Sequence, residues 1–230
     1  LVFKDTITGL AAGVRLTSND MLHKGDWITV KSVDANGIVE DMSLTTVKVR
    51  NFDNTIVTIS PITLVNGSFQ NWIGMQKSGG RRVKRVVYFD FRSVRLVDET
   101  LKRNLLAKHF ATEDSFKLKE SLQKAIDKDI QEGKDIEDLK NPAALAPTNL
   151  QLYRKFMEKY LRQRPEVNTD LTLMVRHMEA TQCGLPIEFY FFIKDKVWVN
   201  YEHILADIME HAYALANEFG LKIYEQYPEQ

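Results

Sequence analysis

NGIVEDMSLTTVKVRNFDNTIVTIS, residues 36–60, contains a β-branched run at 38–50, a turn cluster at Asn51-Phe52-Asp53-Asn54 and a second run at 55–60. Val, Ile and Thr at this density favour pleated strands, and Asn/Asp clusters between them favour tight reversals. Residues 27–33 alternate in part, and Asp34-Ala35-Asn36-Gly37 is a further turn signal. Three or more strands joined by turns this short predict a small, strongly bent antiparallel sheet or barrel. Pro61 ends the run because it cannot donate to a strand ladder.

Outward toward the N-terminus, Asp5 followed by Thr6 is a helix-start signal, and Thr17-Ser18-Asn19-Asp20 favours a turn over continued helix. Within that helix Ile7, Leu10 and Val14 share one face. Gly9, Ala12, Gly13 and Leu16 form a neighbouring face smooth enough for close packing. Outward toward the C-terminus, Asn66-Gly67 and the basic run KSGGRRVKR (77–85) lead to a strand at 83–94 and to helices at 98–110 and 113–130. NPAALAPT (141–148) breaks the helical pattern before a helix at 149–162. Strands at 171–177 and 187–193, a helix at 201–219 and a strand at 221–224 complete the chain. Ile204, Ile208, Ala212, Leu215 and Phe219 make one stripe of the 201–219 helix, and Gly220 stands where a left-handed cap belongs.

With the helices at about 113–163 set aside as an insertion, the second half reads β-α-β-β-α-β, the ferredoxin-like order. The expected fold class is α+β: a short amphipathic N-terminal helix, a bent antiparallel β-domain of the SH3 or Sm type, and a ferredoxin-like α/β domain with a helical insertion. The expected segments are 1–22, 23–66 and 67–230.

The chain has 230 residues, 44% of them hydrophobic and 27% charged, which is enough apolar material for a real core. Its 31 basic and 31 acidic side chains balance, so bulk charge marks no partner. Residues 1–95 nevertheless carry 13 basic and 8 acidic groups, and the remainder 18 and 23. One cysteine, Cys183, excludes an internal disulfide framework. No apolar run reaches the ~18–20 residues that cross a bilayer, and no charged-then-apolar signal-peptide pattern is present in these residues. The start at Leu1 instead of Met suggests a piece of something longer.

Few side chains suggest chemistry. Cys183 with His177 lacks an orienting third group. His203, Asp207 and His211 recur on one helical face, a spacing more often a solvated polar face than a metal site. The 77–85 run lacks the terminal Gly-Lys-Ser/Thr of a phosphate loop and opens a strand, and no aromatic-rich RNA motif accompanies it. An enzyme is not expected, nor a cofactor, a metal or a nucleic-acid partner.

GLAAGV (9–14), GDWITV (25–30) and the bent sheet that follows resemble the small-conductance mechanosensitive channel (MscS-like) family, running without a gap from Gly13 to Gly25. The helices near 113–163, FKD (3–5) and the closing WVNYEHILADIMEHAYALANEFGLKIY look more like its miniconductance branch. The resemblance implies the cytoplasmic part of a bacterial inner-membrane homoheptamer that opens under tension and releases ions and small osmolytes in hypoosmotic shock. The N-terminal helix would be the interfacial segment, one face toward lipid or neighbouring subunits and the other, with Gly9, Ala12, Gly13 and Leu16, on the cage. Leu1 and Val2 would fall at the pore constriction. Where better-known members bend at a flexible glycine, this chain has Lys4-Asp5, so a cap by Asp5 would make the bend; Ser60-Pro61 replaces the customary Pro-Asn. Two other classes stand beside this one: an Sm-like RNA-binding ring, and a small-molecule sensor built on the ferredoxin-like domain.

Overall fold

The computed structural model describes residues 2–117, 120–133 and 146–226. The chain divides into two compact units, Leu1–Ser78 and Gly79–Gln230.

The first unit opens with α1 (Val2–Ser18), followed by β1 (Trp27–Val30), β2 (Ala35–Met42), β3 (Val47–Asn51) and β4 (Ile56–Ile59). Then come α2 (Pro61–Asn66), the two-residue β5 (Gln70–Asn71) and α3 (Ile73–Lys77). The sheet is antiparallel, in the order β4-β3-β2-β1-β5. Alternate side chains enter its core, as period 2 requires: Ile28 and Val30, Ala35 and Val39, Val47 and Val49 are buried, and Leu16, Leu22, Ile59 and Leu64 close the cluster. Every member is aliphatic. At Gly37 a Cβ would lie 1.9 Å from the Arg50 carbonyl oxygen, so β2 and β3 meet there backbone to backbone, and their register shifts further along, between Val39 and Asp41.

Three sequence expectations change here. The 38–50 run is two strands, reversed at 43–46 by Ser43, whose hydroxyl accepts from the Thr45 and Thr46 amides. The turn expected at 34–37 lies earlier, in a 3-10 turn over Lys31–Val33 closed by Asp34 at φ 52°, and Gly37 serves close approach instead. Finally, β5 pairs with β1 through Ile28↔Asn71 and Thr29↔Gln70, so residues 67–78 belong to the first unit and the boundary drawn at 66 moves to 78.

The second unit contains β6 (Arg81–Phe89), α4 (Glu99–Ala107), α5 (Glu120–Gln131), α6 (Asn149–Gln163), β7 (Met174–His177), β8 (Leu185–Ile193) and α7 (Trp198–Glu218). The strand order is β6-β8-β7, antiparallel throughout, and Ile223 bridges Phe89 on the outer side of β6. That is the ferredoxin-like arrangement. One face of the sheet presents Val83, Val87, Phe89, Val175, Ile187, Phe189, Phe191 and Ile193 to a core shared with α6 and α7. Tyr153 on α6 is fully buried among them and donates its hydroxyl to the Ala212 carbonyl on α7 at 2.6 Å. Burial pushes that phenol's pKa far above its ordinary value.

The helical insertion thus ends sooner than expected. Leu150, Tyr153, Met157 and Leu161 of α6 are buried, because their spacing puts one apolar stripe on the sheet. The α6 helix is a core element, and residues 134–145, with most of the Pro/Ala connector, lie outside the described residues. Asn149 pins its start: fully buried, it donates to the carbonyls of Ser93 and Phe219 and accepts from the Arg95 amide. The basic run at 77–85 is used structurally in part. Arg81 stacks over the Tyr201 ring at 4.3 Å, and Lys84 with Arg176 flanks the fully buried Glu188.

Candidate functional site

The two faces of α1 differ in what they touch. Ala12 and Leu16 are buried, and Gly13 is held so close to the β2–β3 hairpin that a Cβ would stand 2.3 Å from the Leu44 carbonyl oxygen. Only a glycine lets the helix rest directly on that main chain. Leu16 continues into the β-core, and α2 packs alongside. The opposite face carries Ile7 (64% exposed), Leu10, Ala11 and Val14 (51% exposed), an apolar stripe left uncovered by the described residues.

The C-terminal end of α1 is fixed by a Schellman cap. Met21 N–H donates to the Leu16 carbonyl and Asp20 N–H to that of Thr17, with Asp20 in the left-handed region at φ 57°. Beyond it, Asp26 is buried, and one carboxylate oxygen accepts from the His23 amide at 3.0 Å and from Asn71 Nδ2 at 2.8 Å. Asn71 Nδ2 also reaches the Met21 carbonyl. The loop leaving α1 is thereby tied to both β1 and β5. Trp27 and Trp72 stack at 4.7 Å across the same pair of strands, and each indole N–H donates to a β1 or β2 side chain, Asn36 from Trp27 and Thr29 from Trp72.

Of the residues singled out in the sequence, Ala12, Gly13 and Leu16 come together on the seat. Gly9 does not: a Cβ there would meet nothing within 4 Å. Lys4 and Asp5 lie inside α1, which runs unbroken from Val2 to Ser18, so neither stands at a helix start. Neither residue removes a backbone N–H or frees φ, so the ladder of i to i−4 bonds continues through them. Val2 begins the described helix, and Leu1 lies outside the described residues. Asp26 went unnoticed in the sequence; its significance rests on Asn71, 45 positions away.

The rival chemistries gain nothing from the geometry. Cys183 is exposed in the β7–β8 turn, and its amide donates to the Thr181 hydroxyl. The His211 ring stacks on Tyr160, with Nδ1 2.7 Å from the Asp207 carbonyl one turn back. Among the described residues no three His, Cys, Asp or Glu side chains gather as a metal site, and no helix is long and apolar enough to cross a membrane.

The family model "Mechanosensitive ion channel, beta-domain" matches residues 5–74, the span of α1, its seat and the five-stranded sheet. The small-conductance mechanosensitive channel MscMJ of Methanocaldococcus jannaschii is 32% identical over 71 residues, 31% of this chain and 20% of that protein. An uncharacterized MscS family protein of Aquifex aeolicus is 33% identical over 111 residues, 47% of this chain and 29% of that protein. The chain therefore spans less than a third of either relative. Among solved structures, closed-state MscS of Helicobacter pylori matches all of this chain and 66% of that one at 14% identity, with a TM-score of 0.60. MSL1 of Arabidopsis thaliana matches 96% of this chain and 59% of that one at 10% identity, also with a TM-score of 0.60. The β-domain match falls on the very seat of α1, the fold resembles that of MscS structures through both units, and residues 5–74 are a mechanosensitive-channel β-domain.

Proposed function

We propose that this chain is the vestibule portion of a bacterial mechanosensitive channel, which opens under membrane tension and releases ions and small osmolytes during hypoosmotic shock. The observation that carries the reading is the two-faced α1: small residues seat it on the β-domain, while Ile7, Leu10 and Val14 stand uncovered. In the assembled channel that stripe faces lipid or a neighbouring copy, because an apolar stripe is stable at a bilayer boundary or an interface and costly in water. A pore on one axis requires identical copies around it, and seven is the number the reading takes. The assembly lies in the inner membrane with this portion toward the cytoplasm. Leu1 and Val2 belong to the apolar constriction, where a ring of large side chains keeps a closed pore dry. The chain is not assigned an enzymatic role, since the family that its β-domain matches is one of channels.

Patch-clamp recording of the full-length gene product, in cells lacking their own mechanosensitive channels, tests this directly. Tension-activated current is expected, and Leu1→Ser is expected to open at lower tension, since a polar ring wets more readily. Absence of tension-activated current in patches that contain the protein overturns the channel reading. An unchanged Leu1→Ser threshold moves the constriction elsewhere and leaves the channel standing.

A further inference from the structure

The second unit contains a cavity of about 160 Å³ between the end of α4 and the flank of α6. Its floor is apolar, with Phe110 and Phe156 meeting edge to face at 5.1 Å over Leu152. Its rim is basic and hydroxylic: Lys155 and Lys159, one turn apart on α6, stand with His109 and Ser115. The nearby carboxylates are engaged elsewhere: Glu113 with Lys102 at 3.8 Å, Asp114 with Lys117 at 2.7 Å, and Glu158, which lies between the two lysines in sequence, accepts from the Val175 amide at 3.0 Å. Among the described residues Lys155 and Lys159 form no ion pair.

The backbone points to the same place. Helix α4 ends in a Schellman cap, with Phe110 N–H donating to the Leu105 carbonyl and His109 N–H to that of Leu106. The left-handed position of this cap, at φ 59°, is held by His109. Helix α7 ends in the same motif, with Leu221 N–H on the Ala216 carbonyl, and fills the equivalent position with Gly220 at φ 66°. Glycine adopts this conformation without strain, whereas an imidazole there is carried against a backbone penalty. At α4 that penalty brings a nitrogen donor to the rim of a cavity that already holds two ammonium groups.

We infer that this cavity binds a small organic anion, its carboxylate held by Lys155, Lys159 and His109 and its short apolar body lying on Phe110 and Phe156. A cavity of about 160 Å³ has room for a short carboxylate with a small apolar body. Two cations in a concave, partly apolar site recognise one anionic head more strongly than either would in open water. Nothing in this inference depends on the channel reading, which stands or falls by its own recordings.

Butyrate titrated into the 230-residue chain, followed by backbone amide NMR, is the test. Saturable shifts are expected at residues 109–115 and 152–159, with butyrate binding at least several-fold more tightly than acetate, which lacks the tail, or butanol, which lacks the charge. Lys155→Ala with Lys159→Ala should weaken butyrate at least tenfold, and the retained near-ultraviolet circular dichroism of the aromatic side chains shows that the variant is folded. His109→Gly should raise Tm by removing the strain and weaken butyrate several-fold at the same time. Absence of saturable shifts, butanol or inorganic phosphate matching butyrate, an unaffected double lysine variant, or a His109→Gly protein that is stabilised yet binds as well as before would each overturn the assignment.

Discussion

The two sheets are built on opposite principles. In the first unit β1, β2, β3 and β4 pair in the order in which they occur, so every contact in that series is a hairpin and each reversal spans four residues. In the second, β6 pairs with β8 from Arg81↔Ile193 to Phe89↔Leu185, across some hundred residues of intervening chain. The first core is wholly aliphatic and relies on main chains coming close, at Gly13 and Gly37. The second is aromatic: Phe89, Tyr153, Phe189, Phe191 and Phe219 are each fully buried, and edge-to-face contacts join Tyr153 to both Phe89 and Phe219. Local pairing needs turns, and distant pairing needs large side chains whose burial outweighs the entropy of closing a long loop.

The largest expected effect breaks the second unit alone. Phe189→Ala removes a fully buried ring at the centre of β8 and should cost about 3–5 kcal/mol in that unit. Urea unfolding should then show an early transition, while the near-ultraviolet dichroism of the stacked Trp27–Trp72 pair reports a first unit that melts as before. Coincident loss of both signals would mean that the two units fold as one.

The converse substitution addresses close approach in the first unit. Gly37→Ala puts a methyl against the Arg50 carbonyl and should destabilise that unit by about 1–3 kcal/mol, lowering the Trp-pair midpoint without moving the second transition. Gly9→Ala is the control. With open space around it, the same added methyl should stabilise α1 by up to about 1 kcal/mol.

This contrast also explains what the sequence made visible. The turn at 51–54, the stop at Pro61 and the cap at Gly220 are local chemistry and could be read from neighbouring residues. The reversal at 43–46 was hidden because Ser43 makes it with a hydroxyl, and no Gly, Pro or Asn marks the place. The apolar stripe of α6 was readable as a helix, but its membership in the core was not, since the sheet it covers is assembled from strands far away in the chain. Within the candidate site, Ala12, Gly13 and Leu16 declared themselves by size and spacing. Gly9 has the same spacing and no neighbour, and only the position of the hairpin distinguishes it from Gly13. Asp5 looked like a cap, yet helix on its N-terminal side leaves it no end to cap.

The smallest expected effect is electrostatic and sharpens the comparison further. In the second unit the Asp90 carboxyl is held below its usual pKa by hydrogen bonds from the Arg92 side chain and amide. Asp98 is held low by the Leu101 amide and then by Arg95, and Asp114 by Lys117. In the first unit Asp53, lowered by the Thr55 hydroxyl and amide, is the resolved case among the described residues. A depressed carboxylate contributes stability that is complete above its unfolded pKa, near 3.9, and is lost as pH falls through the lower folded value. Lowering the pH from 5 to 3 should therefore reduce the thermal midpoint of the second unit more than that of the first. Asp98→Asn, which keeps a helix cap but no titrating charge, should reduce that difference.

The seat of α1 has a consequence for how sequences of this kind diverge. Gly13 touches Leu44 through a carbonyl oxygen, an atom that every amino acid supplies, while the Leu44 side chain is half exposed. Position 44 can therefore drift without disturbing the contact, and position 13 can hardly drift at all. Paired substitutions at 13 and 44 should be missing from any collection of related sequences. Methods that find neighbours by correlated change would pass over one of the tightest contacts in the molecule, which would show only as a solitary, invariant glycine.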